Sequence, residues 1–101
     1  MHKIKNDKYK SARGGHSRLL EITCEHCRGH ISYYQKDGPG ILKRMYLDRI
    51  LDSKDSAKEL RCKGCGRTLG VLIIYEKEQR PAYRLFVGSV SKKLVRRDSI
   101  S

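Results

Sequence analysis

Four cysteines form two pairs with the same internal spacing. Cys24 and Cys27 are separated by two residues, and so are Cys62 and Cys65. Two thiolates at this spacing bind one side of a metal ion, and a second pair completes a tetrahedron. Four sulfur ligands in a tetrahedron are typical of structural zinc. The sequence therefore predicts one structural zinc ion with these four cysteines as ligands, and iron held by the same ligands is the alternative.

Nearby glycines favour a metal site over other uses of the cysteines. Gly64 and Gly66 permit positive φ and a close approach of the backbone to the sulfurs, and Gly29 offers a looser version of the same feature. A thioredoxin-like dithiol needs a single cysteine pair at the start of a helix in a βαβ unit, which this sequence does not predict. A catalytic zinc keeps one position for water, whereas four cysteines fill all positions.

The composition predicts one small domain that binds polyanions. A chain of 101 residues with 38% hydrophobic residues, no Trp and one Phe builds a small core, so a metal staple is expected. The 23 Lys and Arg against 11 Asp and Glu give a net charge of +12, which favours polyanionic partners.

The sequence lacks the segments that direct a protein to membranes. No run approaches the ~18 consecutive apolar residues of a membrane span. The charged N-terminus is not followed by the apolar segment of a secretory signal. We expect a cytoplasmic protein, and in a reducing cytosol closely spaced cysteine pairs are metal ligands rather than disulfides.

Short apolar runs predict a mostly β domain over residues 18–90. It lies between a flexible basic arm, residues 1–17, and a basic tail, residues 91–101. The predicted strands are "RLLEIT", "HISYYQK", "GVLIIYE" and "YRLFVGSV", with the last two forming an antiparallel pair.

Residues 41–51, "ILKRMYLDRIL", fit both a helix and a strand. The turn signal "DGPG" directly before them favours a strand that pairs with "HISYYQK" in a hairpin. No internal repeat is evident beyond the cysteine pairs.

The segment "CKGCGRTLG", followed by an apolar strand, resembles the second zinc knuckle of the Yippee-like and cereblon-type β-tent domains. The matching positions are Cys62, Cys65, Gly66, Leu69 and Gly70. The first pair matches only the two-pair plan, because Arg28 stands directly after Cys27 where the family has glycine. The resemblance implies two antiparallel sheets pinned at one end by zinc. The tryptophan cage of cereblon-like members cannot be carried over, because this chain has no Trp.

Cations in and beside the knuckles point to nucleic acid, because lysine and arginine neutralise phosphates and release counterions. The candidate cations are Arg28, Lys36, Lys43, Arg44, Arg49, Arg61, Lys63 and Arg67. Tyr33, Tyr34 and Tyr46 are candidates for stacking on unpaired bases. Because Tyr33 and Tyr34 are adjacent in a predicted strand, they point to opposite faces and one belongs to the core. These residues predict a non-catalytic zinc-binding module that binds RNA or single strands.

The alternative is a protein-protein interaction or scaffold module with structural zinc. The edge of "YRLFVGSV" would accept a partner strand. An enzyme is not predicted, because the sequence shows no Ser-His-Asp set, no phosphate-binding loop and no open metal site. No small-molecule substrate is identified.

Overall fold

The computed structural model describes residues 17–52 and 57–96, which form antiparallel β-structure with one short 3-10 helix. The helix spans Leu47–Arg49. The strands are β1 (Ser17–Cys24), β2 (His30–Asp37), β3 (Arg44–Tyr46), β4 (Glu59–Arg61), β5 (Thr68–Tyr75), β6 (Arg80–Leu85) and β7 (Val90–Leu94). The predicted mostly β domain is thus confirmed. Within these residues, no helix has the length and apolar character needed to cross a bilayer.

The strands form two sheets that share one core. One sheet has the order β2-β1-β7 and the other the order β3-β6-β5-β4. Alternate residues of a strand face the same side, and one face of each sheet carries apolar residues that meet those of the other sheet. Leu20, Ile22 and Tyr34 of the first sheet pack with Met45 and Tyr83 of the second. Burial of each such side chain stabilises the fold by about 1.5–3 kcal/mol.

Residues 41–51 do not form the predicted hairpin with β2. Only β3 is a strand there, and it pairs with β6 of the other sheet, with Met45 opposite Tyr83. The turn before it contains Gly38 and Gly40 at φ of 75° and 107°. It carries the chain across to the second sheet, where Met45 becomes fully buried in the core. The burial gained there outweighs the local preference for a hairpin.

The predicted pair of strands after the second knuckle is confirmed as β5 and β6. However, β6 lies between β3 and β5, so it does not present the free edge that was expected of "YRLFVGSV". The edge in this region belongs to β7, which pairs with β1. Strand β7 also runs past the domain boundary predicted at residue 90. Residues 1–16 of the predicted arm and 97–101 of the predicted tail lie outside the described residues.

Two arginines are buried against carboxylates. Arg49 is 1% exposed, and its Nε donates a hydrogen bond of 2.8 Å to Asp37. Burial raises the pKa of Asp37, but hydrogen bonds from Ser17, Gln35 and Arg49 outweigh it and lower that pKa. The Arg80 guanidinium donates to Asp48 at 2.7 Å. Both arginines tie the segment that contains the 3-10 helix to the sheets.

Candidate metal centre

The fold brings the four cysteines together between the two sheets. Cys24 ends β1, and Cys62 directly follows β4. The sulfurs of Cys24 and Cys65 are 3.7 Å apart, and those of Cys27 and Cys62 are 3.4 Å apart. All four sulfurs lie within 4.8 Å of one another. Each short distance joins one knuckle to the other, so the site bridges the two sheets.

These distances fit a tetrahedral zinc ion. Zn–S bonds of about 2.3 Å place the sulfurs of a regular tetrahedron about 3.8 Å apart. No two sulfurs approach the ~2.05 Å of a disulfide bond. The donor set is all sulfur, as structural zinc sites prefer. The four cysteines therefore form a single structural zinc site, as the sequence predicts, and the ion would link the two sheets there.

The two knuckles have the same backbone hydrogen bonds. In the first, the Arg28 amide donates to the Cys24 carbonyl at 2.8 Å, and the Cys24 amide donates to the Gly29 carbonyl at 2.9 Å. In the second, the Gly66 amide donates to Cys62 at 2.8 Å, and the Cys62 amide donates to Arg67 at 2.9 Å. Arg28 and Gly66 therefore occupy the same position in the two turns.

That shared position needs a left-handed backbone. Its φ is 79° at Gly66 and 66° at Arg28. Glycine adopts this conformation without steric cost, whereas a residue with a Cβ is strained there. Arg28 stands where the resemblance implies glycine, and the turn forms in spite of it.

Gly29 and Gly64 serve a different purpose, which is proximity to sulfur. A Cβ added at Gly29 would lie 3.3 Å from the Cys27 sulfur. A Cβ at Gly64 would lie 3.4 Å from the Cys27 sulfur and 3.7 Å from that of Cys62. Gly64 of the second knuckle thus lies against a sulfur of the first.

The knuckles close two hairpins of matching register. In β1–β2, Ile22 pairs with Ser32, and the register shifts before Thr23 pairs with His30. In β4–β5, Leu60 pairs with Gly70, and the register shifts before Arg61 pairs with Thr68. The two hairpins therefore share a local structural symmetry, although the sequence repeats only the cysteine pairs. Outside the cysteines the two hairpins share too few residue types for the repeat to be seen in the sequence.

The cysteine thiols differ in pKa, and therefore in how readily each loses the proton that metal binding displaces. The amide of Cys65 lowers the pKa of Cys62 to about 6. The amide of Cys27 likewise lowers the pKa of Cys24. The amide of Gly29 lowers the pKa of Cys27, but the Cys62 thiol and burial outweigh it and raise that pKa to about 11. The first cysteine of each knuckle therefore ionises more readily, and metal binding displaces the remaining protons.

His30 begins β2, as predicted, and it also holds a contact that the sequence did not indicate. Its Nδ1 lies 2.7 Å from Glu21, and its Nε2 lies 2.9 Å from Asp52. Asp52 also accepts a hydrogen bond from the Tyr33 amide. No sequence pattern links Asp52 to His30, because the approach depends on the return of the chain after the 3-10 helix. His26 is exposed between two ligands, as expected.

The predicted nucleic-acid residues are spread over several surfaces. Lys63 and Arg67 are exposed at the second knuckle, and Lys43 is exposed in the segment before β3. Three others have polar partners: Arg28 pairs with Glu25 at 3.5 Å, Arg61 pairs with Glu59 at 2.8 Å, and Lys36 donates to the Gly38 carbonyl at 2.9 Å.

Two tyrosines and two arginines of the predicted surface are held within the fold. Tyr34 is only 2% exposed, and its hydroxyl accepts the Tyr46 amide at 2.9 Å. Tyr46 is itself buried, and Arg49 is the buried arginine described above. Arg44 lies 4.1 Å above the ring of Tyr75. The predicted base stacking by Tyr34 and Tyr46 is therefore wrong, whereas Tyr33 is partly exposed beside His30.

Comparison of the chain with protein-family models, with curated proteins and with solved structures gives no match.

Proposed function

We propose that this chain is a non-catalytic zinc-binding module that binds RNA or other single-stranded nucleic acid through the exposed cations of its second knuckle. The zinc supports the fold, and the lysine and arginine side chains supply the contacts to phosphate. This is the function that the distribution of charge supports best.

The observation that carries this proposal is that most carboxylates of the described residues already contact a basic side chain within the fold. Most acidic side chains of the described residues lie against a basic one, and those held in this way are Glu21, Glu25, Asp37, Asp48, Asp52, Glu59 and Glu78. The net charge of +12 is therefore carried by cations that these carboxylates do not neutralise. A zinc ion with four thiolates lowers it only to about +10.

The second knuckle concentrates such cations. Lys63 and Arg67 are exposed, and neither side chain has an ion-pair partner within the described residues. No acidic residue occurs from Cys62 to Arg67. The first knuckle contrasts with it, because Glu25 there pairs with Arg28. Exposed, unpaired cations are the groups that exchange counterions for phosphates at least cost.

The proposal includes no reaction at the metal. Four thiolates fill the tetrahedral zinc shell, so no position is left for a water or a substrate. Activity of the zinc-loaded protein that depends on a metal-bound water would contradict this part of the proposal.

Fluorescence anisotropy with a labelled single-stranded RNA tests the binding. We expect the logarithm of the affinity to fall linearly with the logarithm of salt concentration. Lys63→Gln should reduce that slope by about 0.7, the value for one lost phosphate contact on a single strand. Lys77→Gln is the matched control, because Lys77 lies in the turn between β5 and β6, at the opposite end of β5 from the second knuckle.

Three results would count against nucleic-acid binding by this knuckle. They are salt-independent binding, absence of binding at low ionic strength, and equal effects of the two lysine substitutions. A protein partner recovered from cell extract after nuclease digestion, together with any of these results, would favour a scaffold role instead.

We also infer a relationship to the β-tent domains. The support is that each knuckle closes a hairpin of a different sheet, so the zinc would pin the two sheets together. An experimental structure in which the two sheets diverge away from the metal would support this relationship, and parallel stacking of the sheets would argue against it.

A further inference from the structure

A cleft of about 570 Å³ lies beside β7. The segment before β3 lines one side, the end of β6 and the following loop line another, and Val90 and Lys92 of β7 close it. Binding pockets for small molecules have volumes of about 300–1,000 Å³. The cleft is therefore large enough for a small organic molecule, and neither the zinc site nor the second-knuckle surface contributes to it.

The interior of the cleft is mainly aliphatic. Leu42, Leu85 and Val90 line it and also pack against the core, so its floor is continuous with the hydrophobic interior. Val87 at its mouth is fully exposed, and Phe86 is 46% exposed. Exposed apolar side chains grouped in this way mark a binding surface rather than ordinary solvated surface.

The charged groups around the cleft all have the same sign. They are Lys43, Arg44, Arg84 and Lys92, and no carboxylate of residues 17–52 or 57–96 belongs to the lining. Arg44 of β3 pairs directly with Arg84 of β6. Arg44 is held over the ring of Tyr75, so a bound anion would meet Arg84 together with Lys43 and Lys92.

Lys92 completes the arrangement from the other sheet. It pairs with Ile22 of β1, and paired residues of neighbouring strands share a face. Ile22 is fully buried in the core, so Lys92 lies at the edge of the face that carries the core. Cations from both sheets thus border one apolar cleft.

We propose that this cleft binds a small organic anion with an aliphatic body and a carboxylate head group. The aliphatic floor receives the body, and Arg84, Lys43 and Lys92 receive the head group through charge-assisted hydrogen bonds. An unpaired base fits this lining less well, because stacking requires planar rings and, among the described residues, Phe86 alone contributes one to the lining.

Titration of the full-length, zinc-loaded protein with octanoate, followed by amide chemical shifts, tests the proposal. We expect saturable shifts centred on residues 41–44 and 84–92. Titration with 1-octanol, which has the same chain length without the charge, should give much weaker shifts. Arg84→Gln and Lys92→Gln should each weaken octanoate binding roughly tenfold, the equivalent of one charge-assisted contact.

Two further variants separate the cleft from general charge. Lys77→Gln removes one charge away from the cleft and should leave octanoate binding unchanged. Val87→Ser changes a fully exposed side chain at the mouth and should weaken octanoate binding while preserving the thermal unfolding profile.

Equal binding of octanoate and octanol, or shifts centred elsewhere, would overturn the proposal. Shifts of the cleft residues on addition of single-stranded RNA, without a response to octanoate, would assign the cleft to nucleic acid and overturn it as well. The proposed function is judged separately, because it depends on Lys63 rather than on Arg84 or Lys92.

Discussion

The first knuckle closes the β1–β2 hairpin and the second closes β4–β5, and the two differ mainly in their side chains. Their backbone hydrogen bonds correspond pair by pair. At the left-handed position the first has Arg28 and the second has Gly66. After the first cysteine, the first has Glu25 and the second has Lys63.

This comparison separates the features that form the turn from the side chains that are free to vary. The cysteine pair and the backbone bonds are sufficient for the turn, because the turn forms with either residue at the left-handed position. The remaining positions are free to differ in charge. The second knuckle has Lys63 and Arg67, which lack an ion-pair partner within the described residues, whereas the first has an ion pair between Glu25 and Arg28.

The largest expected effect is loss of the metal. If the zinc joins the two hairpins, Cys24→Ser and Cys62→Ser should be equally damaging, although they lie in different sheets. Structural zinc contributes an apparent ~10–16 kcal/mol near neutral pH, much of it as folding energy. We expect both variants to lose stoichiometric zinc and cooperative thermal unfolding, measured by elemental analysis and circular dichroism.

Lys77→Gln, in the turn between β5 and β6, is the control and should retain one zinc per chain. If only Cys62→Ser unfolded, the first hairpin would not depend on the metal, and the symmetry of the two knuckles would be limited to geometry.

The next largest effect is a loss of stability at one of two corresponding positions, which follow the knuckles in β2 and β5. Ser32 and Gly70 pair with Ile22 and Leu60, so they correspond in the two hairpins. A Cβ at Gly70 would lie 2.6 Å from the Arg84 carbonyl oxygen, so Gly70→Ala forces the backbone of β6 to move. Overpacking of this kind costs about 1–3 kcal/mol. Chemical denaturation should show that loss of stability.

Ser32→Ala is the matched comparison. The Ser32 hydroxyl is buried without a hydrogen-bond partner within the described residues. Its removal should change the unfolding free energy by less than about 1 kcal/mol, or raise it. A large loss of stability in Ser32→Ala would contradict this prediction. Unchanged stability in Gly70→Ala would show that β6 does not pack as closely against Gly70 as the structure indicates.

The metal centre could be predicted from sequence because cysteine spacing is a local signal. The same holds for β5 and β6, whose apolar runs flank a polar turn. The destination of residues 41–51 could not be predicted in this way. Their pattern fits either structure, and the choice depends on the burial of Met45 against Tyr83, which comes from a distant strand.

The burial of charged residues is equally hard to predict from the sequence. Lys63 and Arg67 were expected at the surface, and their place in the tight second turn leaves them there. Arg49 was expected at the surface too, but it is buried against Asp37. Nothing local distinguishes Arg49 from the other arginines, because its burial depends on how the 3-10 helix meets β2. The cationic cleft is hidden for the same reason, since its residues come from both sheets.

A smaller effect is expected at the left-handed position itself. A left-handed backbone costs a residue with a Cβ roughly 1–2 kcal/mol, part of which glycine returns through its greater freedom in the unfolded chain. Arg28→Gly should therefore stabilise the protein by up to about 1 kcal/mol, and Gly66→Ala should destabilise it by about the same amount. Thermal melts of zinc-loaded protein measure both. Destabilisation by Arg28→Gly would show that the ion pair with Glu25 outweighs the backbone strain.

The smallest expected effect is a pH dependence confined to the first hairpin. His30 bonds to Glu21 there, whereas Thr68 donates to Glu59 at 3.3 Å in the second. Burial lowers the pKa of His30, but the hydrogen bonds that its ring donates to Asp52 and Glu21 outweigh burial and raise that pKa above its ordinary value. The contribution of His30 to stability is therefore complete below that ordinary value and declines as pH rises through the higher pKa of the folded state.

His30→Thr makes the first hairpin match the second and should remove this contribution. The stability difference between wild type and variant should be below about 1 kcal/mol, because the contact is partly exposed. It should be largest near pH ~6 and shrink towards pH ~8. Protonation of the thiolates affects both proteins alike, so the difference isolates the histidine. A difference that is constant with pH would mean that His30 acts through packing against Tyr33 rather than through its charge.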